Sequence, residues 1–150
     1  MEYNVSALLQ ERPGSTRTFL VDEKYQLQEV MGSLALMKIE HGILVSADLR
    51  VSNIGLECSS CLTQFNTDLD VSFQEEFMPK YHPEFGTLLP SEEDDFRIDD
   101  RMVLNITEAL RQYLETEIPI APRCQQYCLG LCSGCGQNLN TDEGACKEES

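Results

Sequence analysis

Tryptophan is absent, and basic side chains are scarce: 11 lysines and arginines stand against 26 aspartates and glutamates, for a formal net charge of −15 and a pI near 4.3. So acidic a chain repels nucleic-acid phosphates at long range, which disfavours non-specific nucleic-acid binding. Histidines number only two, His41 and His82, in an expected turn and an expected loop, where solvent exposure is the plain reading. Neither belongs to a Ser-His-Asp pattern, and no glycine-rich phosphate loop occurs. The usual supports for an enzyme or for small-molecule catalysis are therefore missing, and a non-enzymatic protein without a small-molecule substrate is expected. Long apolar runs are lacking as well, the longest being tetrads such as Leu34–Met37, whereas a membrane helix takes about 20 apolar residues. The opening Met1-Glu2-Tyr3-Asn4-Val5-Ser6 has neither the basic start nor the apolar stretch of a secretion signal. The expectation is a cytoplasmic protein with no membrane association.

What is present suffices for one core. With 150 residues, 41% of them hydrophobic and 25% charged, the chain matches a single globular domain. Asn4–Gln10 reads as a short helix opened by Asn4 or Ser6 and stopped at Pro13-Gly14-Ser15. Thr16–Val21 and Leu27–Ile39 are rich in β-branched and apolar residues, and His41-Gly42 marks a turn. From Ile43 to Val51 the odd positions are apolar and the even ones polar, a period of two that buries one face. At Gly55 the phase shifts to Ile54 and Leu56, as a bulge would require. A second alternation follows through Phe65, Leu69, Val71 and Phe73, so two strands flank Cys58-Ser59-Ser60-Cys61.

Residues 79–100 carry Pro83, Gly86, Pro90 and the run Glu92-Glu93-Asp94-Asp95, predicting a solvated acidic loop. Asn105 and Glu108 resemble a capping box for a helix whose apolar face is Ile106, Ala109, Leu110, Tyr113 and Leu114, ended by Pro119 and Pro122. The expected architecture is α+β: one antiparallel β-rich domain over 1–150 with a Cys-x-x-Cys hairpin, one main C-terminal helix and a cysteine-rich zinc-binding tail. Its parts are a β-rich part (1–78), an acidic loop (79–100), the helix (101–122) and the tail (123–150).

That tail holds five of the seven cysteines and almost no apolar periodicity. A segment that cannot order itself by burial needs a cross-link. In a reducing compartment seven thiols point to metal rather than to disulfides, which would also leave one over. Zinc asks for four ligands at tetrahedral corners, and a Cys-x-x-Cys turn supplies two. Two such turns occur, Cys58/Cys61 and Cys132/Cys135, with Cys124, Cys128 and Cys146 besides. The first partition puts Cys58, Cys61, Cys124 and Cys128 on one structural zinc and leaves Cys132, Cys135 and Cys146 as a second group. A competing partition joins Cys58 and Cys61 to Cys132 and Cys135, and spacing does not choose between them. All-sulfur sites are closed, so the zinc is expected to be structural rather than catalytic.

The hairpin Glu57-Cys58-Ser59-Ser60-Cys61-Leu62, the strand end Phe73-Gln74-Glu75-Glu76-Phe77, and the run from Pro119-Ile120-Ala121-Pro122-Arg123-Cys124 through Cys128-Leu129-Gly130-Leu131-Cys132-Ser133-Gly134-Cys135-Gly136-Gln137-Asn138-Leu139-Asn140 resemble the YceD family. The likeness extends over nearly the whole chain. It implies a part in accumulation or assembly of the large ribosomal subunit and its RNA. Where many relatives close with Cys-x-Cys, this chain has Cys146-Lys147-Glu148, so that either Glu148 completes the second group or that group stays empty. The −15 charge joined to this likeness suggests a basic ribosomal protein or a pre-ribosomal particle as partner, met through Glu92, Glu93, Asp94 and Asp95. The alternative is direct contact with ribosomal RNA through the zinc tail, flanked by Arg123 and Lys147, with Tyr127 to stack on a base.

Overall fold

A computed structural model describes residues 1–82, 85–89 and 96–141. Strands β1 (Glu2–Asn4) and β7 (Val103–Asn105) pair antiparallel in a small sheet. The main sheet has five strands in the order β2-β3-β4-β5-β6, comprising Thr16–Tyr25, Gln28–Lys38, Ile43–Glu57, Gln64–Pro79 and Arg97–Ile98. Its first four strands form an antiparallel meander, and β6 joins β5 in parallel. Helices α1 (Ser6–Leu9) and α2 (Thr107–Glu117) complete the fold. No helix among the described residues is long and apolar enough to cross a membrane.

Period-two alternation decides which face is buried. Register rows such as Leu34, Ala47 and Phe73, or Val30 and Val51, bring apolar side chains of neighbouring strands together on one face. There they pack with Val5, Leu8 and Leu9 around α1 and with Leu104, Ile106, Ala109 and Leu110 around β7 and α2. The intervening residues, including Ser46, Asp48, Arg50, Ser72 and Gln74, line the other face, which the described helices leave uncovered. The core thus sits between one side of a meander and a thin layer made by the first nine residues together with β7 and α2.

Four details depart from the sequence reading. The phase shift in β4 lies between Val51 and Ile54 rather than at Gly55, with Asn53 at φ +62° and its N–H held by Asp68 Oδ1 at 3.1 Å. Asparagine tolerates this left-handed conformation, so Gly55 is not needed for the bulge. The first helix spans only Ser6–Leu9, because Asn4 lies in β1 while its Oδ1 accepts the Ser6 N–H at 3.0 Å. No reciprocal capping box forms at α2: Asn105 Oδ1 accepts from Thr107 N–H at 2.9 Å, but Glu108 binds Arg111 and Gln112. Those partners hold the Glu108 carboxyl down to about 2, the Arg111 hydrogen bond contributing most. Last, the expected acidic loop contains structure, since Ile98 is buried in β6 and Phe96 stacks on Phe77 at 5.1 Å. Residues 90–95, and with them Glu92, Glu93, Asp94 and Asp95, lie outside the described residues.

Gly32 is fixed by space. A Cβ there would meet the Asp48 carbonyl oxygen at 2.1 Å and Leu49 Cα at 2.9 Å, both backbone atoms of the adjacent strand. Gly55 is open, its nearest neighbour being Asn66 Oδ1 at 3.6 Å. Gly32→Ala is expected to destabilise by about 1–3 kcal/mol or more, lowering the melting temperature by about 2–4 °C per kcal/mol. Gly55→Ala should fall within about 0.5 kcal/mol of the parent. Paired thermal melts followed by circular dichroism would show the contrast, and equal melting temperatures would contradict it.

Candidate metal centre

The connection from β4 to β5 is a six-residue knuckle. Within it the Cys58 N–H donates to the Thr63 carbonyl at 2.9 Å, and the Leu62 N–H donates to the Cys58 carbonyl at 2.9 Å. Leu62 sits at φ +61°, the left-handed turn that closes this loop. The other half of the centre arrives by way of α2. Its residues Ala109 and Leu110 are buried, and Tyr113 stacks on Phe73 of β5 at 4.9 Å while its hydroxyl donates to Glu75. Pro119 and Pro122 end the helix direction, and the Pro122 carbonyl accepts the Ser59 N–H at 2.7 Å. This docks the segment beneath the knuckle two residues before Cys124.

As a result Cys58, Cys61, Cys124 and Cys128 bring their sulfurs within 4.8 Å of one another, the first two buried and the last two half-buried. The sulfur of Cys58 is 3.7 Å from that of Cys128, and Cys61 is 3.6 Å from Cys124. A disulfide has its sulfurs about 2.05 Å apart, so these are not cross-linked pairs. With metal–sulfur bonds of about 2.3 Å, a tetrahedral zinc holds its sulfurs about 3.8 Å apart. The spacing observed is that of a ligand cage, and these four residues can hold a metal ion. It follows the first partition of the sequence reading; the competing one, with Cys132 and Cys135 joined to Cys58 and Cys61, is not formed.

Electrostatics in the cage favour a cation. Backbone N–H groups, that of Cys61 foremost and those of Cys124 and Ser60 as well, bring the Cys58 thiol down to about 6. Cys61 is lowered, first through the hydroxyl and then the backbone of Thr63. Cys124 is pushed up to about 12, first by burial and then by the crowding sulfurs of Cys61, Cys58 and Cys128. The thiolate is favoured at Cys58 and Cys61 and opposed at Cys124, an imbalance that a bound divalent cation would relieve.

Two asparagines and a threonine were not singled out as functional from the sequence. Asn140 Nδ2 donates to Cys128 Sγ at 3.3 Å, and Asn138 Nδ2 donates to Thr63 Oγ1 at 2.9 Å, which lies 3.2 Å from Cys61 Sγ. Asn140 Oδ1 also accepts the Leu129 N–H at 2.9 Å, fastening the tail to the loop that carries Cys128. The only signal of the two asparagines in the sequence was membership of the run Gln137–Asn140, and Thr63 carried none beyond its place after Cys61; polar donors to a metal's ligands have no spacing rule of their own. Cys132 and Cys135 lie outside the four-sulfur group, and Cys146 and Glu148 lie outside the described residues. His41 and His82 are neighbours, with rings 5.5 Å apart, and neither is among the four clustered ligands.

Cys128→Ser is expected to remove one bound zinc per chain and to raise hydrogen exchange over 119–141 while β2–β5 stay protected, because the sheet has its own core. Asn140→Leu should leave the ligand count unchanged and weaken metal retention about 10- to 100-fold, the usual cost of removing an outer partner. Competition with a graded chelator would read this, and retention equal to that of the parent would argue against a role for Asn140.

An uncharacterized protein of Mycobacterium leprae is 28% identical over 137 residues, covering 79% of this chain and 62% of its own length. An uncharacterized protein of Mycobacterium tuberculosis is 28% identical over 112 residues, covering 74% of this chain and 52% of its own. The chain thus spans between about half and three-fifths of the length of these curated relatives. No solved structure matches. The profile of the family described as large ribosomal RNA subunit accumulation protein YceD matches residues 50–150, which include both knuckles and the helix between them, and the chain belongs to that family.

Proposed function

We propose that this protein is a non-enzymatic accessory factor for accumulation or assembly of the large ribosomal subunit and its RNA, stabilised by zinc and acting by binding a basic ribosomal protein. The family to which it belongs is named for accumulation of large-subunit ribosomal RNA. Zinc fits the all-sulfur donor set and the tetrahedral spacing, and a cage with four sulfurs leaves no open corner for a reacting water. A factor of this kind works where ribosomes are assembled, in the cytoplasm.

The observation that supports the partner's chemistry is the face of the main sheet that the described helices leave uncovered. Register and alternation line it with the carboxylates Asp22, Glu29, Asp48, Asp68, Asp70 and Glu76 against two cations, Lys24 and Arg50. Arg50 is already engaged, 3.1 Å from Asp70 and 3.5 Å from Asp68. Between the charges stand the short side chains Thr18, Ser33, Ala35 and Ser46 together with the exposed Leu20 and Met31, so an extended Lys/Arg-rich segment laid across the strands would meet carboxylates for its cations and apolar surface for their stems. Such a field accelerates encounter with a basic protein and, by occupying its cations, shields it from unspecific RNA contact before delivery.

Direct RNA binding has one specific observation in its favour: Tyr127 is 80% exposed beside the cage, and Arg123 is exposed next to Cys124. The net charge of −15 weighs against it.

The triple variant Asp22→Lys, Asp48→Lys, Glu76→Lys leaves the Arg50 pairs in place. It is expected to lose at least about tenfold in association rate with purified basic large-subunit proteins, with the parent's rate falling steeply between low and physiological salt. Recovery of no ribosomal protein from a nuclease-treated lysate would count against the reading. Tight, salt-sensitive binding of the isolated protein to ribosomal RNA, lost in Tyr127→Ala, would replace it with the second.

A further inference from the structure

Two turns of this chain share one backbone. In the first, Leu62 at φ +61° donates its N–H to the Cys58 carbonyl at 2.9 Å, and the Cys58 N–H donates to the Thr63 carbonyl at 2.9 Å. In the second, Gly136 at φ +76° donates its N–H to the Cys132 carbonyl at 2.9 Å, and the Cys132 N–H donates to the Gln137 carbonyl at 2.8 Å. Position by position these are the same loop, Cys-Ser-x-Cys, then a left-handed residue, then the carbonyl that closes it. The first copy presents two sulfurs to a four-sulfur cage; the second lies outside that cage, with Cys132 half-buried and Cys135 exposed.

A second fact makes the likeness chemical rather than only geometric. None of residues 131–141 is buried. Their hairpin, marked by the bridge between Leu131 and Asn138, is ordered without a core beneath it. The first knuckle is supported by β4 and β5 on either side and by buried sulfurs. The second has neither: the side chains of Asn138 and Asn140 tie the hairpin to Thr63, Cys128 and Leu129 from positions beyond the Cys132–Gln137 turn, and an exposed turn of this kind gains its order most readily from a metal.

We propose that Cys132 and Cys135 are half of a second zinc site, separate from the four-sulfur cage. The pair supplies two thiolates at adjacent tetrahedral corners, and the site is completed by two further anionic donors, thiolate or carboxylate. These come either from the rest of the same chain or from a second copy. The site gives the hairpin its own anchor, and through Asn138 and Asn140 it holds steady the donors that reach Thr63 and Cys128 of the first cage. Binding at the second site therefore tightens the first without sharing a ligand with it.

The test is native mass spectrometry of the full chain purified with zinc, beside the variants Cys132→Ser with Cys135→Ser, and Cys58→Ser with Cys128→Ser. Two zinc ions per monomer, falling to one in the Cys132/Cys135 variant with the sheet's circular dichroism unchanged, is the expected result and places the remaining donors in the same chain. A second zinc found only in dimers, and lost in the same variant, supports the site with donors from a second copy. One zinc per chain in every species, an unchanged count in the Cys132/Cys135 variant, or a Cys132–Cys135 disulfide in protein kept under reducing conditions would overturn the proposal. The variant should also release its remaining zinc to a chelator at least about tenfold faster. Because this readout needs no ribosomal component, its failure would leave the proposed partner chemistry standing, and the reverse holds too.

Discussion

Everything beyond α2 depends on four sulfurs meeting at one point. Cys61 and Cys124 are 63 residues apart in sequence and 3.6 Å apart in space. Closing a flexible loop of that length costs roughly 4 kcal/mol beyond a constant, but most of that cost is met before any metal acts. Packing of α2 on β5, with Tyr113 against Phe73, already returns the chain to the sheet. What remains for the cage is the short stretch from the end of α2 to the hairpin, in which Gly130 is the one buried position. Zinc held by sulfur contributes on the order of 10–16 kcal/mol of apparent binding energy in small zinc domains. On the proposed zinc reading, a term of that size outweighs the ordering cost of a stretch with so little apolar burial.

The same economy explains the sheet. A meander covered on one face needs alternating side chains, and the face left over is free to carry whatever solubility or recognition requires. Here it carries carboxylates in register across strands, with hydroxyls between them: Ser72 donates to Asp48 at 2.7 Å and Gln74 to Ser46 at 3.1 Å. These bonds are exposed and contribute little to stability. Their effect is to hold acidic groups in fixed positions across the strands, while the apolar face packs the core behind them and the four sulfurs cluster at one end of the sheet.

Much of this was legible because period two and Cys-x-x-Cys are local signals. The alternation from Ile43 to Val51 predicted the buried face of β4, and the knuckle at Cys58–Cys61 stood between two strands as its spacing implied. The partition of sulfurs was legible only as two alternatives, because it turns on where α2 docks, a tertiary event that no spacing encodes. The misses share that cause. Ile98 joins the core from within a charged stretch because β5 offers it a parallel edge, and Asn53 rather than Gly55 takes the left-handed turn because Asp68, on the neighbouring strand, captures its N–H. Glu108 abandons its cap for Arg111, which sits one turn along the same helix and offers two nitrogens at 3.0 and 2.6 Å. A bidentate charged pair outweighs a single neutral N–H.

The structural role proposed for the cage draws support from how its sulfurs are charged and enclosed. Cys58 is biased toward thiolate by backbone N–H groups, with a value of about 6, and Cys124 is biased the other way, at about 12. A redox dithiol needs one reactive, accessible thiolate beside a partner it can oxidise with. Here the more acidic sulfur is fully enclosed, at 0% exposure, and Cys128 lies 3.7 Å from it within the four-sulfur group. Enclosure of the reactive sulfur slows attack from solvent, and the surrounding sulfurs raise the cost of any state in which several ionise without a cation. Both pressures act in one direction, in keeping with the proposed closed site that fixes the β4–β5 connection and the segment after α2 in one geometry. Recognition is then left to the surfaces those segments present.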